Sequence, residues 1–258
     1  MRRLILLAAL LTALLAPACA LAAKATGSAG GISATLSYKG GPGITTHDER
    51  LTISRDGKVV YDQALPATGC FKVCSPEGKN PVKVADLYGD GSEDVVLTLF
   101  SGGADCCTLD DVFVHSSAVS SYVLDQHNFG EAGALLKDIG PHGIPEFVSA
   151  DPAFYCQFTS CAASGLPLQI FRFVGERFVN VTTQHPTLIA ADAAKWLKAY
   201  RQNLKNGDGL IAAWAADEYN LGRQAAAGAE LRQQVAARHL TKTFVASLER
   251  FLIKHHYG

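Results

Sequence analysis

The feature that most constrains this chain is a motif that occurs twice, 52 residues apart. Val82 to Asp86 leads through Tyr88-Gly-Asp-Gly91 into Asp94-Val-Val-Leu-Thr-Leu-Phe100. Leu135-Leu-Lys-Asp138 leads through Gly140-Pro-His-Gly143 into Glu146-Phe-Val-Ser149. In register, Asp86 falls on Asp138, Gly91 on Gly143 and Asp94 on Glu146. Apolar runs bounded by Gly, Asp and Pro read as strand, turn, strand. Each unit then passes through a polar Cys-containing loop into a second hairpin. The first runs Asp111–Val114 and Ser121–Leu124. The second runs Leu168–Val174 and Arg177–Val181, turning at Gly175-Glu176.

A period near fifty residues with about four strands per unit is the pattern of propeller blades. Upstream, Ile32–Tyr38 alternates as a strand, and Leu51–Ser54 and Lys58–Tyr61 flank Asp56-Gly57, a strong hairpin signal. These strands supply part of a third unit, too few for a closed ring. After Pro186 the apolar period changes from two to 3.6. Ile189, Ala193, Trp196, Leu197, Tyr200 and Leu204 mark one helical face, which Asn206-Gly207 ends. Asp208 is placed to cap a second helix containing Trp214, residues 223–238 form a third, and Thr241 caps a fourth through Phe244, Leu248 and Leu252. The expected fold class is α+β. An incomplete, propeller-like array of antiparallel blades over residues 23–185 (units near 32–81, 82–134 and 135–185) is covered by a helical subdomain over 186–258. Residues 23–31, AKATGSAGG, read as a flexible leader.

The chain opens with Arg2-Arg3, an apolar stretch from Leu4 to Leu15 and small-residue cleavage sites, the pattern of a secretory signal over residues 1–22. A lipid anchor at Cys19 is the minor alternative, since Ala16 stands where a lipobox usually has Leu. No later segment reads as membrane-spanning. The expected location is therefore secreted, periplasmic or on the cell envelope. Six cysteines follow the signal, an even number suited to disulfides in an oxidising compartment. Cys156 and Cys161 are close enough to close a small loop. A bond between neighbours Cys106 and Cys107 would be strained, so these two are expected to reach back to Cys70 and Cys74. Residues 23–185 carry 11 Lys/Arg against 18 Asp/Glu, and residues 186–258 carry 10 against 6. The two regions are thus of opposite sign, and neither is basic enough for nucleic acid.

The first acidic turn, Asp86-x-x-x-Asp90-Gly91-x-x-Asp94 followed by Val-Val-Leu, resembles the calcium loop of FG-GAP/VCBS repeats, the blade repeats of integrin-α-like propellers. The full layout is also similar to secreted bacterial proteins in which such a segment precedes a helical tail. The resemblance covers roughly residues 82–181. It implies carboxylate ligation of calcium by Asp86, Asp90 and Asp94, with the Ser92 carbonyl as a further ligand, because calcium wants six to eight oxygens. Tyr88 stands where the family has another Asp, so binding should be weak. In the second unit His142 replaces Asp90 and Pro141 stiffens the turn, and no calcium is expected there.

Catalytic patterns are sparse. Ser164-Gly165 lacks the first glycine of a nucleophile elbow, and Ser101-Gly102-Gly103 lacks the lysine of a phosphate loop. The expected role is a secreted or envelope binding and structural module, with an extracellular or envelope protein or a glycan as partner. One alternative is a secreted hydrolase that joins Asp105, Asp110 or Asp111 to His115, His127 or His142. Another is an adaptor that recruits a protein through an exposed helical stripe, including Trp196 and Trp214.

Overall fold

The computed structural model describes residues 22–40, 46–71, 74–103, 106–116, 118–141 and 143–258. The expected signal, with Cys19, lies outside the described residues apart from Ala22. Three antiparallel sheets precede four helices. The first sheet is a meander of β1 (Ala22–Ala29), β2 (Ile32–Lys39), β3 (His47–Arg55) and β4 (Lys58–Ala64). The second contains β5 (Ser75–Pro76), β6 (Val82–Ala85), β7 (Asp94–Phe100), β8 (Thr108–Ser116) and β9 (Ser121–Gly130), with β5 and β6 both paired to β7. The third is a meander of β10 (Leu135–Asp138), β11 (Pro145–Ala150), β12 (Leu168–Val174) and β13 (Arg177–Asn180).

The 52-residue offset holds at the level of strand register. Lys83, Val84 and Ala85 pair with Val96, Val95 and Asp94. Leu135, Leu136 and Lys137 pair with Val148, Phe147 and Glu146. Each pair falls on its counterpart.

The expected leader is instead strand β1, paired with β2 along its whole length. The turn between them is Gly30-Gly31, with φ of +50° and +81°. Two successive positive φ values define the tight hairpin turn whose twist matches its strands, and glycine adopts them without steric cost.

The sheets stack face to face. Ile32, Ala34, Leu36, Leu51 and Ile53 of the first sheet bury against Val95, Leu97, Leu99, Leu109 and Phe113 of the second. The other face of the second sheet, with Val96, Val112, Val114 and Phe129, buries against Phe147, Phe171 and Phe173 of the third. This double burial is why β7 reads as an almost unbroken apolar run. The outer face of the first sheet carries Ser33, Thr35, Arg50, Thr52 and Asp62. There Arg50 Nε donates to Asp62 Oδ1 at 2.7 Å and Thr52 Oγ1 donates to the same oxygen at 3.0 Å. A hydrogen-bonded polar face is content in water, so the stack stops there.

The helices cover the far side of the third sheet. They are α1 (Pro186–Gln202), α2 (Asp208–Asn220), α3 (Gln224–Ala236) and α4 (Lys242–Lys254). Thr241 caps α4 as expected, its Oγ1 accepting from Phe244 N–H at 3.0 Å. Asp208 is not a cap; it lies in the first turn of α2, after Gly207. Phe154 and Phe158, from the excursion between β11 and β12, pack into the helical core, each ring 5.0 Å from Phe251. The Tyr257 hydroxyl donates to Asp151 Oδ2 at 2.7 Å and pins the chain's end to the same excursion. Trp214 is buried in this core and Trp196 packs against it, with its indole N–H on Asp192. Both tryptophans of the proposed recruiting stripe therefore serve the bundle's own packing.

Three cysteine pairs stand at disulfide distance. Cys156 pairs with Cys161. The other four pair within their loops, Cys70 with Cys74 and Cys106 with Cys107, and not across them as expected. The physical reason is the turn that Cys70 N–H closes onto the Ala67 carbonyl at 3.2 Å. It brings the Cα atoms of Cys70 and Cys74 to 5.3 Å, the usual span of such a bond. The two loops do adjoin: Phe71 N–H donates to the Ser101 carbonyl at 2.8 Å, and Ser101 N–H to the Cys107 carbonyl at 2.9 Å. Such pairs suit an oxidising environment. Among the described residues, no helix is long and apolar enough to cross a membrane.

Candidate functional site

The acidic turn between β6 and β7 is held together by its own amides. Asp86 Oδ1 accepts from the N–H groups of Tyr88, Gly89 and Asp90 at 3.1, 2.6 and 3.2 Å, and Oδ2 from Gly91 N–H at 2.7 Å. Burial pushes the Asp86 carboxyl up, but these four amides outweigh it and hold the group below its ordinary range. Asp90 Oδ1 accepts from Ser92 N–H at 2.8 Å, and Asp94 Oδ2 from Leu87 N–H at 3.3 Å. Tyr88, at the position where the resembled family has another Asp, turns to the third sheet. Its hydroxyl accepts from Glu176 N–H at 2.9 Å and its ring meets Phe173 edge-on at 5.7 Å. Among the described residues, no three His, Cys, Asp or Glu side chains converge on a point that could hold a metal ion. Both Asp86 oxygens are taken up by the amides of the loop.

A different constellation lies one strand pair away. Thr98 on β7 pairs with Asp110 on β8, and Asp110 pairs with His127 on β9. On the other side, Glu77 N–H donates to the Thr98 carbonyl at 3.0 Å and extends the β5 register by one residue. Directly paired residues share a face. Glu77, Thr98, Asp110 and His127 therefore form one transverse polar row on the face of the second sheet that looks toward the third. At the usual strand spacing it is roughly 14 Å long.

The far end of the row is sealed. The His127 ring sits 4.4 Å from Phe171, 4.5 Å from Phe129 and 5.1 Å from Phe178, and burial pushes its pKa down despite Asp125 nearby. The near end opens into a cleft of about 570 Å³ between the second and third sheets, lined by Glu77, Lys83, Thr98, Glu131, Leu135 and Ser149 among others. Asp110 lies just beneath its floor, 1% exposed. Burial raises its pKa to about 6; the Thr98 hydroxyl and the Lys83 charge lower it in part, and Glu77 adds to the rise. One oxygen each of Asp110, Glu77 and Thr98 is buried without an aligned hydrogen-bond partner. Thr98 and Asp110 answer each other across the strands, which leaves Glu77 Oε2 as the oxygen of the row that needs a donor, since buried polar groups are ordinarily satisfied.

Of the residues of the hydrolase alternative, the structure brings Asp110 and His127 to paired positions on one face of the second sheet, and holds Asp111 and His115 apart from them. Asp110 faces the third sheet. Its neighbour Asp111 faces the first, where Oδ1 accepts from Gln126 Nε2 at 2.6 Å and burial raises its pKa to about 6. His115 is exposed, its ring edge-on to Tyr122 at 5.7 Å. Asp105 and His142 lie outside the described residues. Glu77, Lys83 and Thr98 do not stand out in the sequence reading. The available signal was Thr98, the one polar residue inside Val95–Phe100, together with Asp110-Asp111 at the head of an apolar strand. Among known proteins, no family model, no curated protein and no solved structure matches this chain.

Proposed function

We propose that this chain is a binding and structural module of the extracellular space or cell envelope, whose ligand site is the cleft between the second and third sheets. The single observation that carries the reading is the transverse row of Glu77, Thr98 and Asp110 at that cleft, with the buried unmet oxygen of Glu77. A concave site with a few convergent polar groups, set between rigid elements, is the arrangement that ligand sites favour. The scaffold reading goes with it. The three sheets act as blades of an incomplete propeller-like array of FG-GAP/VCBS type, and the helices stand where the next blade would be.

The test is amide NMR on the chain without residues 1–21, titrated with small probes: 1,4-diaminobutane, sucrose and phosphate. Saturable shifts centred on Thr98, Thr108, Gly133 and Ser149 support the cleft. Shifts that cluster elsewhere, or none for any probe, reject it.

Weak calcium binding at the Asp86–Asp94 turn is the second proposal, favoured by one observation. Burial first, then the charges of Asp90, Asp86 and Glu93, raise Asp94 to about 7. A divalent cation would relieve that repulsion, using Asp86, Asp90, Asp94 and the Ser92 carbonyl. By mass action the expected gain is small, about 1.4 kcal/mol at calcium tenfold above Kd. The thermal midpoint should rise by a few degrees in calcium relative to chelator. An unchanged midpoint assigns the turn to structure alone.

A further inference from the structure

We infer that the cleft between the second and third sheets takes a primary alkylammonium group, as carried by a free diamine or by a lysine side chain. The inference rests on the cleft reading above and adds the chemistry of its ligand. Thr98 and Asp110 face each other across the strands, the hydroxyl lowering the Asp110 pKa, and Glu77 Oε2 is the buried carboxylate oxygen of the row left without a partner. Ionised carboxylates only accept hydrogen bonds, so the missing partner is a donor. An ammonium carries three donors on one atom, enough for Glu77 and Thr98, the two groups of the row that line the cleft.

Charge points the same way. Glu77, Asp110 and Glu131 stand at the cleft against Lys79 and Lys83, leaving an excess of one acid. An anionic ligand would meet this excess and leave the Glu77 oxygen unmet. The cleft lining opposite the row includes the small apolar residues Ala132 and Ala134. That surface suits the methylene chain behind an ammonium. No aromatic ring lines the cleft, so the cage that quaternary ammonium ions favour is absent among the described lining residues.

Asp110 acts through the row and is a positioning residue; its carboxyl lies beneath Thr98 and Glu77, which line the cleft. Lys83 is the internal competitor. It is the nearest cation to Asp110, and a ligand ammonium must displace it toward solvent.

The experiment titrates the chain without residues 1–21 with 1,4-diaminobutane and with Nα-acetyl-lysine methylamide, using tetramethylammonium as the control cation. The readouts are calorimetry and amide NMR. Saturable binding of either primary amine, centred on Thr98 and Ser149, is expected, with none for tetramethylammonium. Tighter binding of the diamine marks a free amine as the natural ligand, and tighter binding of the lysine analogue marks a protein side chain. Glu77→Gln should weaken binding about tenfold, roughly 1.4 kcal/mol, and Lys83→Met should strengthen it. Equal binding of tetramethylammonium, or unchanged affinity in Glu77→Gln, overturns the inference. If sucrose or phosphate shifts the cleft amides while the amines do not, the cleft survives as a site and the ammonium assignment fails. If no probe touches those amides, both fail.

Discussion

Asp217→Asn is expected to raise the stability of this protein, and to raise it more as the pH increases. Asp217 lies in α2, fully buried, and neither carboxyl oxygen has an aligned hydrogen-bond partner. Burial, followed by the nearby Asp192 carboxylate, raises its pKa to about 9. In the unfolded chain the same group titrates near 4. Between about pH 4 and pH 9 the folded state therefore holds a proton that the unfolded state has released. Stability is fully present below pH 4 and is lost as pH rises toward 9, by about 1.4 kcal/mol per unit. Asparagine has the shape of the protonated acid, can donate to Asp192 as that acid does, and does not titrate. The variant should match the parent near pH 4 and exceed it by on the order of 4 kcal/mol at pH 7, an upper figure for a group so placed. Urea denaturation of both proteins at pH 4, 6 and 8 measures the difference directly. Parallel stability curves for the two would show that Asp217 is ionised in the fold and paired.

Much of this architecture is written in local chemistry. The Asp56-Gly57 hairpin, the Thr241 cap and the helical stripe through Leu248 and Leu252 each follow from a few adjacent residues, and the structure has them. The 52-residue repeat is legible for a related reason: register is set by which residues face inward, so two units with the same apolar pattern pair alike. What the sequence hides is what depends on distant partners. Strand β1 is built of Ala, Thr, Gly and Ser, which carry no apolar alternation; it is a strand because β2 pairs with it. There the Gly30-Gly31 signal was the better guide. Tyr88 reads as a missing metal ligand along the chain, whereas in space it is a contact between two sheets.

The candidate site was partly visible for the same reason. Asp110 is among the acids of the hydrolase alternative, whereas Thr98, although it interrupts an apolar strand, is not singled out. Glu77 and Lys83 come from a loop edge and a four-residue strand, too short for any periodicity to show their face. The cysteine pairing was equally out of reach. Four cysteines on two adjoining loops allow both the pairing within loops and the pairing across them, and backbone turn geometry decides between the two.

Glu146→Ala is expected to cost on the order of 3 kcal/mol, the low end for breaking a buried pair, because its Arg172 partner is 30% exposed. Glu146 is 1% exposed on the helix-facing side of the third sheet. Its Oε1 accepts from Arg172 Nε at 2.8 Å and Nη2 at 2.5 Å. His185 Nε2 stands 2.9 Å from Oε2, off the line of a good hydrogen bond. His185 is the residue before α1, so this one carboxylate joins β11, β12 and the start of the helical region. Glu146→Gln keeps the volume and one acceptor for Arg172, and should cost clearly less than the alanine variant. Arg172→Met added to Glu146→Ala should recover part of the loss, because it removes a guanidinium that no longer has a partner. Urea denaturation of the three variants decides the matter. A loss below about 1 kcal/mol for Glu146→Ala would mean that solvent replaces the carboxylate and that the helices hold to the third sheet by apolar packing alone. The comparison with Asp94 gives the result its meaning. The two acids share one register position in the repeat, yet Asp94 has acidic neighbours and one backbone amide, while Glu146 has an arginine and a histidine. The same buried acid therefore opposes folding in one unit and secures the helical cover in the other.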